Sequence, residues 1–452
     1  MTRFDPIDRL MRPFERFMKV QASGGIVLLG AAIVAMILAN SPWRDAYHHF
    51  WDHTIALQID DWTLKRSLHH WVNDGLMAMF FFVVGLELKR EVVGGQLSEP
   101  SQAILPVAAG FGGMLVPALI YLAVNGRGGS AADGWGIPMA TDIAFAVGVI
   151  ALLGSRVPLA LKVFLTTLAI VDDLGAVLVI ALFYTSDVSV VNLAIGFGFM
   201  CVLVGGNLAG IRSPVFYGIF GIGGLWLAFL LSGIHATIAG VVAAITIPAS
   251  VKVDEEGYLR RMRHHLEKFS NLKPNAVRIL TEDQLHSIDE MIRLNRHAAT
   301  PLQQLEHQLH PIVIYFIMPL FALANAGVEL PKDIGGVLMG PVAMGTAAGL
   351  LIGKPLGILL VCWLIVKFGW VRVGSDFTWT QLVGASFLAG IGFTMSLFIN
   401  ELAFSSPELR QQAKLGIVLA SLVAGGVGFV ILRRASSPPL ITESDSMKRE
   451  NP

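Results

Sequence analysis

The sequence predicts an all-α polytopic membrane protein, with twelve transmembrane helices and a short β-hairpin outside the membrane. Three observations carry this. Of the 452 residues, 54% are hydrophobic and only 15% charged, with a mean hydropathy of +0.64, whereas soluble domains are about a quarter charged. Apolar runs of roughly 18 residues or more recur along the chain, long enough to cross a hydrocarbon layer of about 30 Å. The runs are continuous and do not alternate with period two, which excludes a transmembrane barrel.

The elements follow in order. Residues 1–22 form a charged, amphipathic amino-terminal segment that leads into GGIVLLGAAIVAMILAN. That run is too long for a signal peptide and no small-residue cleavage site follows it, so it is the first span. The spans fall near 23–41, 72–93, 103–124, 136–150, 159–184, 190–209, 214–232, 234–250, 311–328, 336–367, 380–400 and 412–432. Eight therefore lie within 23–250 and four within 311–434. Between the first two, TIALQID and DWTLKRS alternate apolar and polar around an acidic turn, which reads as a hairpin near 54–65. Residues 251–310 form a long polar insert. In it Thr281 and Gln284 make a capping box, with Leu285, Ile288 and Ile292 following at helical spacing. Thr300-Pro301 marks a second helix start. The tail 435–452 is polar and expected to be disordered. Cys201 and Cys362 both lie inside apolar runs, without the spacing of a disulfide or metal site.

Basic and acidic residues balance at 33 each, so the signal is in their distribution. With the amino terminus inside, 25 basic residues fall on the cytoplasmic side and 7 outside, with Lys354 left within a span. This asymmetry places both termini in the cytoplasm.

Ionisable residues inside spans point to function. A carboxylate at mid-bilayer costs ~3 kcal/mol on insertion scales, yet the fifth span carries two in LAIVDDLGA, Asp172 and Asp173. Neighbours on a helix point about 100° apart, so both can border one cavity. Held close in low dielectric they do not both ionise freely, which suits exchange of a proton for a small cation. The plainer alternative is that one of them pairs with a buried base. The fourth span holds Thr141-Asp142 just after Pro138 and is short and glycine-rich. The eleventh has a similar interruption at Gly390-Ile391-Gly392, followed by Thr394. Paired interrupted spans mark a mid-membrane site in transporters, although a glycine-rich packed helix gives the same pattern. Lys354, in LLIGKPLG, is the one charge inside the tenth span. It needs a carboxylate partner, Asp172 or Asp173, unless it snorkels to the interface. Glu87, Lys89, Arg90 and Glu91 crowd the cytoplasmic edge of the second span. Glu306-His307 and His310 lie in another cytoplasmic segment. Histidine titrates near pH 6.5, so this cluster suits a pH sensor; a stop-transfer charge cluster is the alternative.

ATDIAFAVGVIALLGSRVPLALK, LAIVDDLGA, SGIHATIAG, LEHQLHP, MPLFALANAGV, LIGKPLG and GIGFTMSLFI, in order over nearly the whole chain, resemble the NhaA-type bacterial sodium/proton antiporters. The resemblance implies inverted-topology repeats (third to fifth and tenth to twelfth spans) and two crossing broken helices. It implies electrogenic, pH-regulated exchange of external H+ for internal Na+ or Li+ across the inner membrane, by alternating access and without a cofactor. Asp172 and Asp173 then match the Na+ and proton-binding pair, Thr141 and Asp142 the helix crossing, and Lys354 a supporting lysine that bridges to Asp172. Glu87, Arg90, Glu91, Glu306 and His307 match a pH-responsive region, and His235 a further histidine of that response. Asp74 matches another polar position. The 54–65 hairpin matches an element that pairs protomers into a homodimer; lipid and the transported ions are the other partners, with no nucleic acid. One departure stands out: 251–299 is a long basic, histidine-bearing insert where a short loop is expected.

Two other classes compete. A membrane-embedded aspartyl protease fits acids on different spans, but no GxGD motif surrounds them. A Na+-coupled symporter of a small solute fits the fold; for an anionic solute it would want free basic groups, and here three acids face Lys354 alone.

Overall fold

Hydrocarbon cannot satisfy backbone N–H and C=O groups, so a chain this apolar must bond them within helices. The computed structural model describes residues 23–60, 62–126, 128–185, 188–251, 255–271, 279–369 and 377–435. The amino-terminal segment 1–22, the tail beyond Ala435, and 252–254 and 272–278 of the insert lie outside the described residues.

Among the described residues, eight helices are long and apolar enough to cross a membrane, and ten if each of two bent pairs is one span. The protein is a multi-pass membrane protein. One bent pair is the eleventh span. The other is the first span, Ser23–Ala39, followed by Arg44–Asp52 at 113°. This second helix is amphipathic and buries only Tyr47 and Trp51, and the sequence reading did not anticipate it. The second span is helical over 71–94, with Glu87, Lys89, Arg90 and Glu91 near one end.

Two spans differ from expectation. The eighth, expected over 234–250, is a helix only over Thr237–Thr246, about 15 Å long at 1.5 Å per residue. Gly233, at φ 84°, ends the preceding helix. Ile247 is extended, as the residue before Pro248 should be. The ninth, expected from 311, begins ten residues earlier and runs over Pro301–Asn325. Pro311 lacks an N–H, and the helix widens to π geometry at Val313–Ile317 just beyond it.

The hairpin pairs Thr54–Ile59 with Trp62–Ser67, antiparallel, from Thr54↔Ser67 to Ile59↔Trp62. Its connection starts at Asp60, whose φ of 50° is left-handed. Short polar side chains tolerate that region best after glycine.

The chain divides into two compact units. In the first (1–77, 96–186 and 313–452), the third span, Pro100–Asn125, packs on the tenth, Pro341–Lys367. Glycines at four-residue spacing make this possible. A Cβ on Gly353 would sit 2.7 Å from Pro117 Cα, and one on Gly357 2.1 Å from the Gly112 carbonyl oxygen. Small residues on one face let backbones approach where lipid supplies no hydrophobic drive. The second unit (78–95 and 187–312) is centred on Leu86, Leu203, Tyr217, Leu225, Ala243, Ala244 and Leu302. From the insert it adds two packed helices, Glu255–Asn271 and Glu282–Ala298. Thr281 and Gln284 cap the second reciprocally, and Tyr258 donates to Asn295 Oδ1 at 2.7 Å across the pair.

Candidate functional site

Pro138 and nearby glycines leave the fourth span unable to continue. Its first half, Ala132–Met139, is a tight 3-10 helix; Ala140 is extended; the second half, Ile143–Leu153, starts afresh with Asp142 as its N-cap. The eleventh span breaks likewise between Trp379–Ala389 and Phe393–Ala403, with a 41° bend. Each break exposes carbonyls bearing partial negative charge and N–H groups bearing partial positive charge.

The two breaks satisfy one another. The Asp142 N–H donates to the Ile391 carbonyl at 2.7 Å, and Ser396 Oγ donates to the Ile137 carbonyl at 2.7 Å. Asp142 caps both second halves at once. Its Oδ1 accepts the Phe145 N–H at 3.1 Å, while Oδ2 accepts the Thr394 N–H at 3.0 Å and the Thr394 hydroxyl. Ser421, from the twelfth span, accepts the Phe393 N–H at 3.2 Å. The carbonyl ends are met by donors. Lys354 Nζ donates to the Met139 carbonyl, and Thr141 Oγ1 lies 2.8 Å from the Ala389 carbonyl.

Lys354 leads its helix directly after a π-helical turn, Gly349–Gly353, and before Pro355. Its Nζ lies 2.7 Å from Asp172 Oδ2, and both side chains are fully buried. Of the two partners the sequence left open, the lysine is bonded to Asp172. Thr141 Oγ1 is also 2.8 Å from that same Oδ2. A hydroxyl has one proton, so Thr141 donates either to Asp172 or to Ala389, not to both. The other oxygen, Asp172 Oδ1, is buried and accepts no hydrogen bond among the described residues. Asp173, one residue on, is also fully buried and acts electrostatically on Lys354.

Among the described residues, the lysines, arginines and acids that are buried overall are Asp142, Asp172, Asp173 and Lys354. Lys354 offsets one carboxylate, and two helix N-termini face Asp142. Three buried carboxylates against one buried base leave negative charge to be neutralised in low dielectric, where an uncompensated ion costs several kcal/mol. A proton or a hard monocation can each do this, and carboxylate and hydroxyl oxygens are what a hard cation takes.

A second cluster lies elsewhere, within the other unit. Arg90 bridges Glu91 at 3.1 Å and Glu306 at 3.2 Å, and His310 Nδ1 lies 3.2 Å from Glu87. Both His307 and His310 are exposed, and the histidine in contact with an acid is His310. Lys89 stands apart from these ion pairs. It donates to the carbonyls of Ile245 (2.6 Å) and Ile247 (2.5 Å), closing the end of the truncated eighth span. His235 lies at the opposite end of that helix, in the link before it, and is not gathered into the cluster. Asp74 sits in a π-helical turn, Trp71–Leu76, beside Asn73, which pairs with Asn325 at 2.9 Å. Sequence reasoning passed over Ser396 and Ser421. A serine inside an apolar span carries no signal until its partner across the break is known.

The profile of the family described as Na+/H+ antiporter 1 matches residues 15–432. The chain is 48% identical over 429 residues to a protein of Oleidesulfovibrio alaskensis named Na(+)/H(+) antiporter NhaA, covering 95% of each chain. It is 48% identical over 431 residues to Na(+)/H(+) antiporter NhaA 2 of Syntrophotalea carbinolica, covering 95% of this chain and 98% of the relative. An Acidithiobacillus ferrooxidans protein named Na(+)/H(+) antiporter NhaA is 47% identical over 430 residues, covering 94% and 98%.

Replacing Lys354 by alanine leaves the Asp172 carboxylate and the Met139 carbonyl buried without their donor. Breaking such a pair costs about 3–5 kcal/mol. The purified Lys354→Ala protein should therefore show a clearly lowered Tm in detergent, and Lys354→Ala/Asp172→Asn should recover part of the loss. An unchanged Tm for the single variant would contradict the pairing.

Proposed function

The chain belongs to the Na+/H+ antiporter 1 family, and from that premise we propose that it exchanges external H+ for cytoplasmic Na+ or Li+ across the bacterial inner membrane. The observation that carries the reading is the excess of buried carboxylates over Lys354 where two broken helices meet. Asp172 and Asp173 bind the transported cation or protons in turn. Lys354, Thr141 and Asp142 hold the breaks around them. Outside, where protons are supplied, the aspartates are protonated and the protonated site turns inward, carrying the charge of Lys354. Cytoplasmic Na+ then displaces the protons and is carried out. With both aspartates protonated in exchange for one Na+, each cycle moves net charge inward, so transport is electrogenic. No resident cofactor is needed, since the competing ions are themselves the substrates.

Thr141 couples the chemistry to the helices. While Asp172 is a carboxylate its Oδ2 accepts the Thr141 proton; once Asp172 is protonated it donates instead, and Thr141 turns its proton to the Ala389 carbonyl. The protonation state is thereby read at the end of the broken eleventh span. Alternating access needs such a link between occupancy and backbone.

Glu87, Arg90, Glu91, Glu306 and His310 serve the pH response on the cytoplasmic side, with both termini on that side, and His307 and His235 contribute less directly. The Glu87–His310 pair is ionic only while His310 is protonated, so raising cytoplasmic pH loosens it. Among the described residues the hairpin near 54–65 is a two-stranded sheet whose outer edges pair with no further strand, and such edges are templates for another chain; a second copy of the protein, forming a homodimer, is the occupant proposed.

Two outcomes test this. In inverted vesicles, Na+ should collapse an imposed ΔpH with the wild-type protein and fail to do so with Asp172→Asn or Asp173→Asn. Full exchange by both variants would remove the aspartates from the site. His310→Gln, which no longer pairs ionically with Glu87, should extend activity to more acidic pH by a measurable shift of the profile. A profile superimposable on wild type would exclude the histidine from the response.

A further inference from the structure

The third span reads PVAAGFGGMLVPA, and its glycines face different neighbours. A Cβ on Gly112 would press on the Gly357 carbonyl oxygen at 2.5 Å, so that glycine serves the packing of the tenth span. Gly113 and Gly110 face the buried ion pair instead. A Cβ on Gly113 would stand 3.1 Å from Ile358 Cγ1, with Lys354 Cε beyond it at 3.8 Å. A Cβ on Gly110 would stand 3.5 Å from Asp172 Oδ1, with Val171 Cγ1 at 2.9 Å. Three residues apart on a helix, the two positions share a face. The third span thus walls the site with hydrogen atoms where any other residue would place a carbon.

The oxygen behind Gly110 is distinctive. Asp172 is fully buried and its Oδ2 is taken by Lys354 and Thr141, yet Oδ1 accepts no hydrogen bond among the described residues. A buried carboxylate oxygen left open is where an incoming cation or proton finds its first ligand. We propose that Gly110 is a specificity-determining residue of the exchange. It keeps open the space beside Asp172 Oδ1 into which the cation and its remaining oxygen ligands fit, and so admits Na+ as well as the smaller Li+. The inference rests on the antiport reading and adds to it what sets the choice of cation.

The chemistry follows from size. A hard cation is held by several oxygens at distances its radius fixes. Li+ bonds at shorter range, sits closer to Oδ1 and needs less room on the Gly110 side. A methyl there encroaches on the shell of Na+ before it reaches that of Li+. Interiors are close-packed and yield little to one added methyl.

The experiment measures Na+- and Li+-induced ΔpH collapse in proteoliposomes for wild type and Gly110→Ala. One methyl group in a close-fitting site discriminates by roughly tenfold or more, so the KM for Na+ should rise about tenfold in Gly110→Ala while that for Li+ changes less than about twofold. Because the new methyl also meets Val171, Gly110→Ala/Val171→Ala is assayed beside it. That variant keeps the methyl at Oδ1 and removes the crowding. The shift in the Na+/Li+ ratio should persist in it and be absent from Val171→Ala alone. An unchanged ratio, an equal loss for both ions, or a shift that vanishes in the double variant would overturn the inference. Wild-type vesicles that respond to neither ion would overturn the antiport reading itself, which separates the two failures.

Discussion

In hydrocarbon a helix cannot simply stop, because its last carbonyls and first N–H groups have no water to turn to. This chain stops two helices mid-span, and the rest of the site answers that constraint. Thr141, Asp142, Lys354, Ser396 and Ser421 each meet a backbone group at a break, or, in the case of Thr141 and Lys354, both a break and Asp172. The pairing is reciprocal, since each broken span supplies partners to the other. Removing either break would leave the other's ends unsatisfied.

Charge enters as a consequence. The positive ends of two half-helices are best met by an anion, and the carbonyl ends by a cation. Asp142 and Lys354 fill those places. Lys354 then requires a carboxylate of its own, which Asp172 provides at 2.7 Å. Asp173 brings the site to three acids against one base. On the proposed reading, competition between H+ and Na+ arises from this excess of buried acids over base.

Much of this was legible in the sequence. The apolar runs located the helices, alternation located the hairpin, and DD, TD and GKPLG marked the buried charges by their cost in lipid. Other features were not legible. The short eighth helix depended on Gly233 and Pro248 acting together within an apolar run that reads as one span. Arg44–Asp52 follows Pro42 and is too polar to register among spans. The helix start at Thr300-Pro301 was legible, but that His310 and not His307 meets Glu87 depends on which face of that helix packs on the second span. The place of Gly110 is a three-dimensional fact: nothing in PVAAGFGG separates a glycine that faces a carboxylate from one that faces a backbone.

On the proposed mechanism, protons and Na+ compete for one buried carboxylate site. The most direct measurement titrates Na+ into purified protein in weakly buffered detergent solution with a pH indicator, at a series of starting pH values. Competition predicts that Na+ binding releases protons, and that the apparent affinity for Na+ weakens as pH falls. Na+ binding without proton release, at an affinity independent of pH, would contradict it.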